Sequence, residues 1–122
     1  MAQIAFANGG RSLLIASGSQ VHTLSLDDSL LPIARSVQTV AGSGETLRGL
    51  AVVAGGDGYV ATSDTQAYWH GFGKNTALAR RALPAGLRVQ QAALAGKRLV
   101  LLAYSSVSQQ FNLVRLPIDV AL

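Results

Sequence analysis

Apolar residues along this chain fall in short runs separated by breaks rich in Gly, Ser, Asn and Asp. Ile4-Ala5-Phe6-Ala7 gives way to Asn8-Gly9-Gly10-Arg11, then to Leu13-Leu14-Ile15-Ala16, then to a Ser/Gly break and a further run from Val21 to Leu26. Runs this short, bounded by turn residues, predict β-strands, because a helix would need a longer stretch with apolar positions three and four apart. The glycines supply the positive-φ positions that tight hairpins demand, so consecutive strands are expected to run up, down and up.

The pattern recurs. Ile4 to Ser17 lies on Leu50 to Ser63 at a shift of about 46 places, and Ala5, Gly9, Gly10 and Ser17 then meet identical residues. A further shift of about 41 places brings Ala92 to Ala103 under the same pattern, with Gly96 on Gly9 and Arg98 on Arg11. Third runs follow at Val21 to Leu26, Ala67 to Phe72 and Phe111 to Leu116, and fourth segments at Ile33 to Val40 and Leu78 to Leu83. The last of these is built from Ala, Leu and Arg, which favour helix, with Thr76 as a cap and Pro84 and Gly86 as a stop; the repeat assigns it to strand instead. The third unit ends at Leu116 to Leu122, its fourth strand missing or vestigial. The expected organisation is a single repeat domain, residues 1–122, with units of about 3–42, 48–86 and 89–122.

Units of about 40–45 residues with four antiparallel strands are what β-propeller blades are made of. Gly49-Leu50-Ala51-Val52-Val53-Ala54-Gly55-Gly56-Asp57-Gly58-Tyr59-Val60-Ala61-Thr62-Ser63-Asp64 resembles the strand–turn–strand core of the WD-repeat family, and Ile4 to Ser19 resembles it comparably. The Trp-Asp dipeptide of that family is represented by Leu26-Asp27, Phe72-Gly73 and Leu116-Pro117, and no Gly-His precedes a first strand. The resemblance implies an all-β fold of about three four-stranded antiparallel propeller blades, the last incomplete, and the role of a scaffold or subunit in a multi-protein complex. Closed propellers take about 4 to 8 blades, so about three need completing. Self-association into a ring of about six blades, docking of another subunit, or an open or barrel-like sheet would each answer this.

Composition points the same way. With 49% hydrophobic residues, 13% charged residues and a mean hydropathy of +0.32, the 122-residue chain is excluded from the disordered class and carries more apolar surface than a small monomer hides. A protein partner or self-association is therefore expected. The absence of cysteine excludes disulfide frameworks, thiolate nucleophiles and sulfur-ligated zinc. No run reaches the roughly 18 to 20 apolar residues of a membrane-spanning helix, and the start lacks a cationic leader, so the expectation is a soluble, unprocessed protein of cytoplasm or nucleus with no membrane contact.

Chemistry-bearing motifs are sparse. His22 and His70 fall on corresponding faces of neighbouring units but are too few for a metal site without carboxylates, and no metal is expected. Ala41-Gly42-Ser43-Gly44-Glu45 lacks the spacing of a nucleophile elbow and reads as a flexible inter-unit loop. Gly73-Lys74-Asn75-Thr76 imitates the end of a P-loop, yet Tyr68 stands where its first glycine belongs. Asp27, Asp28, Asp57 and Asp64 occupy turn positions, where Asp bonds local backbone N–H groups. Neither catalysis nor a cofactor is expected.

Two features remain. Tyr68-Trp69-His70-Gly71-Phe72 holds the only tryptophan; alternation sends Tyr68, His70 and Phe72 to one face and Trp69 to the other, and Tyr68, Trp69, His70 and Phe72 are the candidate partner-binding residues. Between Asp64 and Asp119 there is no acidic residue, while Lys74, Arg80, Arg81, Arg88, Lys97 and Arg98 fall inside that span and make a candidate polyanion-binding surface. The primary expectation is a non-catalytic interaction module. The alternative is an RNA-binding accessory subunit of an RNA-modifying enzyme, gripping phosphate without reading bases.

Overall fold

Among the described residues eleven strands form in the places where the apolar runs lie, and each pairs with a neighbour in sequence. The structure is a computed structural model that describes residues 3–53, 58–71, 79–95 and 98–117. The first sheet contains β1 (Gln3–Ala7), β2 (Ser12–Ser17), β3 (Gln20–Leu26) and β4 (Pro32–Thr39) in sequential order. The second contains β5 (Gly49–Val52), β6 (Gly58–Thr62), β7 (Gln66–Gly71) and β8 (Ala79–Ala82), and the third β9 (Leu87–Ala95), β10 (Arg98–Ser105) and β11 (Gln110–Pro117). All pairings are antiparallel.

The segment in which helix-favouring residues compete with the repeat is strand: β8 pairs Tyr68 with Arg80 and Ala67 with Arg81. Tertiary pairing overrides local propensity here, as it does whenever a waiting sheet edge supplies more hydrogen bonds than an isolated helical turn. The first hairpin turns through Asn8–Gly10, where Gly9 and Gly10 take φ of 64° and 89°. Its counterpart at Ala54 to Asp57 lies outside the described residues, as do the segments from Phe72 to Leu78 and from Ile118 to Leu122.

The three sheets stack face to face. Ala7, Leu14, Ala16 and Val21 of the first pack on Leu50, Tyr59, Ala61 and Tyr68 of the second. Val60, Ala67 and Leu83 from the second pack on Val89, Ala92, Leu99 and Leu101 of the third, with Trp69, Leu94, Val114 and Leu116 partly buried against them. The middle sheet is therefore covered on both sides, and β6 is buried at every position. This is why Tyr59-Val60-Ala61 reads as a continuous apolar run rather than an alternating one. The first strands β1, β5 and β9 lie against one another along one edge of the stack, and β4 and β11 are mostly exposed. Their closeness depends on Gly49: a Cβ there would sit 2.4 Å from Thr62 Oγ1 and 2.8 Å from Ala92 Cβ.

Candidate functional site

In the first two sheets, the turn between the second and third strands holds the segment leading to the next sheet. In the first sheet, the Ser19 carbonyl accepts from Val40 N–H at 2.8 Å, and the Gly18 carbonyl from Leu47 N–H at 2.7 Å. In the second, the Thr65 carbonyl accepts from Leu83 N–H at 2.8 Å, and the Asp64 carboxylate from Val89 N–H at 2.8 Å. Asp64 thus does not bond its own turn, contrary to the expectation for a turn aspartate; Ser63 Oγ takes the local Thr65 and Gln66 N–H groups, and Asp64 reaches to the third sheet and to Arg48 at 3.2 Å. Asp27 does behave as a turn aspartate, accepting from Ser29 and Leu31 N–H.

Glu45 is the centre of this region and had no signal of its own in the sequence. Its carboxylate accepts from Tyr68 Oη, Ser63 Oγ, Thr65 Oγ1 and Gly42 N–H. Hydrogen bonds from Tyr68 and Ser63, more than any other contact, pull its pKa from 4.5 down to about 2. Burial, reinforced by the Glu45 carboxylate, pushes the Tyr68 phenol up. The segment Ala41 to Glu45, expected as a flexible loop, is instead pinned to the second sheet by these bonds. The shallow depression beside it, about 180 Å³ and lined by Glu45, Thr46, Arg48 and Asp64 among others, is smaller than the roughly 300 Å³ at which small-molecule pockets begin.

The aromatic strand is divided between two inter-sheet contacts. Tyr68 is only 3% exposed and His70 lies opposite Tyr59, its ring centroid 5.9 Å away; both face the first sheet. Trp69 lies opposite Val60 and faces the third. Tyr68 and His70 thus sit at one inter-sheet contact and Trp69 at the other, and Phe72 lies outside the described residues. The alternation itself is as expected; the middle sheet simply has no free face to present. Among the described residues no three His, Asp or Glu side chains converge as metal ligands.

The basic span is also split. Arg80 stands opposite Tyr68 on the side facing the first sheet, and Arg81 donates to the Pro117 carbonyl of the third. Lys74 and Lys97 lie outside the described residues. Arg88 and Arg98 point away from the stack on the outer face of the third sheet, where register adds Arg115, a cation the sequence reading passed over.

The two outer faces of the stack are the open surfaces. Register places Ile4, Phe6, Leu13, Ile15, His22, Leu24, Arg35 and Val37 on the outer face of the first sheet. Ile4 is 64% and Phe6 57% exposed there, and Arg35 Nη2 donates to His22 Nδ1 at 2.9 Å. On the outer face of the third sheet stand Val100, Leu102, Leu113, Tyr104 and Phe111, with the last two rings edge to face at 5.3 Å. Phe111 is 63% and Leu113 57% exposed. Their inward-facing equivalents in the middle sheet are buried, so each outer face has the composition of a face that packs on another sheet.

Sequential antiparallel sheets, stacked face to face with their first strands gathered at one edge, are blades of a β-propeller that three sheets do not close. Solved structures agree. The chain is similar to the β-propeller domain of Cps50 (Swd1) from Myceliophteria thermophila, with 17% identity and a TM-score of 0.62 over 91% of this chain and 38% of that one. It is also similar to a chain of the mitotic checkpoint complex, with 15% identity and a TM-score of 0.60 over 93% of this chain and 35% of that one. The likeness is one of fold, a β-propeller domain in the first case, and this chain spans little more than a third of the length of either. No family model matches the sequence, and no curated protein matches it.

Proposed function

We propose that this chain is a non-catalytic interaction module, a scaffold or subunit whose outer blade faces are completed by another protein in a larger assembly of the cytoplasm or nucleus. The observation that carries this reading is the pair of exposed apolar faces at the two ends of the stack, each chemically equivalent to faces that are buried inside it. Fully burying a Leu, Ile or Phe side chain is worth about 1.5–3 kcal/mol, so covering either end would be strongly favourable. The similar solved structures support it at a coarse level, being a propeller domain and a chain from a multi-protein complex.

The test is the size of the native species. Light scattering after size exclusion of the tagged chain from its native extract is expected to give a mass well above 12.6 kDa, and Phe6→Ser with Phe111→Ser is expected to shift it toward the monomer without lowering the melting temperature. A monomeric native species would overturn the reading. The RNA-contacting reading keeps one supporting observation, the three arginines gathered on the third sheet.

A further inference from the structure

The two outer faces differ from ordinary blade interfaces in one respect. Every charged strand residue on them is basic. The third sheet presents Arg88, Arg98 and Arg115 outward among Val100, Leu102, Tyr104, Phe111 and Leu113, and it has no carboxylate among its described residues. The first sheet presents Arg35 bonded to His22, and its only nearby acids, Asp27 and Asp28, lie in the β3–β4 turn, engaged with the turn backbone and Arg11 respectively.

This pattern decides between occupants. A second copy joined head to tail would set Arg88, Arg98 and Arg115 against Arg35, and a second copy joined third sheet to third sheet would set three arginines against three more. Neither arrangement sets a strand carboxylate opposite the arginines, and uncompensated like charges at an interface that excludes water select against a partner. RNA would answer the charge but leave the apolar side chains between the arginines uncovered, because phosphate contacts bury little hydrocarbon. The surface calls for apolar area and negative charge together.

We propose that the outer face of the third sheet docks a separate protein through an antiparallel β-sheet face that carries Asp or Glu between apolar residues, its carboxylates pairing with Arg88, Arg98 and Arg115. This inference rests on the interaction-module reading and names the chemistry of its partner. Guanidinium forks pair carboxylates bidentately, so the three arginines fix register while Leu102, Leu113 and Phe111 provide the buried area.

The probe is a pair of designed disulfide-closed β-hairpins of about 16 residues, identical in their Val, Leu and Phe face but bearing either three Glu or three Lys among those residues. Fluorescence anisotropy with the full chain is expected to show the Glu hairpin binding at least about tenfold more tightly than the Lys hairpin in low salt, with the preference shrinking as salt is raised. The R88E/R98E/R115E variant is expected to invert that preference while its melting temperature stays near that of the parent. Leu113→Ser is expected to weaken both hairpins. Equal binding of the two hairpins, no change in the triple variant, or displacement of the Glu hairpin by a short single-stranded RNA would each overturn the proposal. Sedimentation equilibrium on the chain alone is expected to show monomer at low salt. A dimer abolished by R88E/R98E/R115E would overturn the acidic partner yet leave the interaction-module reading standing, whereas a monomeric species in native extract removes that reading itself.

Discussion

The Asp64 carboxylate accepts the backbone N–H of Val89 across the gap between the second and third sheets, at 2.8 Å. Val89 is buried, so its N–H has no solvent alternative. Asp64→Ala is expected to destabilise the chain by about 1–3 kcal/mol, the cost of leaving a buried donor unpaired. Asp64→Asn keeps an oxygen acceptor and loses only the Arg48 ion pair, half-exposed and worth about 1 kcal/mol or less. Urea denaturation of the two variants should therefore separate them, and equal losses would show that the charge, not the acceptor, is what counts.

Glu45 makes the fold acid-sensitive in a defined window. Its carboxyl is more acidic in the folded chain, about 2 against 4.5, so its contribution is complete above about pH 4.5 and is lost as pH falls toward 2. A melting-temperature series across that range is expected to fall more steeply for the parent than for Glu45→Gln. Tyr68→Phe, which removes the leading hydrogen bond, is expected to move the midpoint of that loss upward in pH.

Gly49 lies where β5 meets β9, and a side chain there collides with Thr62 Oγ1 and Ala92 Cβ. Gly49→Ala is expected to cost about 1–3 kcal/mol, the usual penalty for an extra methyl in a packed site. Gly44, at φ of 80° with open space around it, separates the two possible effects. Gly44→Ala strains the backbone without a collision, and Thr62→Ala combined with Ala92→Gly, which removes both colliding atoms, should recover more of the loss in Gly49→Ala than in Gly44→Ala in thermal melts.

Trp69, the only tryptophan, faces the third sheet and reports on that contact. Its emission is expected to shift to the red on unfolding together with the loss of β-sheet circular dichroism. Trp69→Ala is expected to destabilise by about 3 kcal/mol, somewhat less than full core truncation because the ring is only partly buried. A neutral Trp69→Ala would mean the second and third sheets are not held together through it.

Much of the fold was written in the spacing of Ile4 to Ser17 against Leu50 to Ser63, because strand, turn and strand are local features and a period exposes them. Even β8 followed from the repeat against its own composition. The site was less legible. Glu45 sits in a Gly/Ser segment that looks like any loop, and its importance comes from Ser63, Thr65 and Tyr68, some twenty positions away in sequence. Alternation correctly put Trp69 opposite Tyr68, but it does not say which sheets have a free face. Only stacking shows that both faces of β7 are covered while those of Phe6 and Phe111 are not. Arg115 escaped notice because its neighbours on the surface, Arg88 and Arg98, belong to other strands.

Sequential pairing within each sheet has an evolutionary and kinetic corollary. No described strand crosses from one sheet to another, so a gene segment encoding one sheet and its linker can be duplicated or deleted without rethreading the rest. Strand pairing also closes only short loops, which for an all-β chain keeps contact order low and favours rapid zipping of each hairpin as it leaves the ribosome.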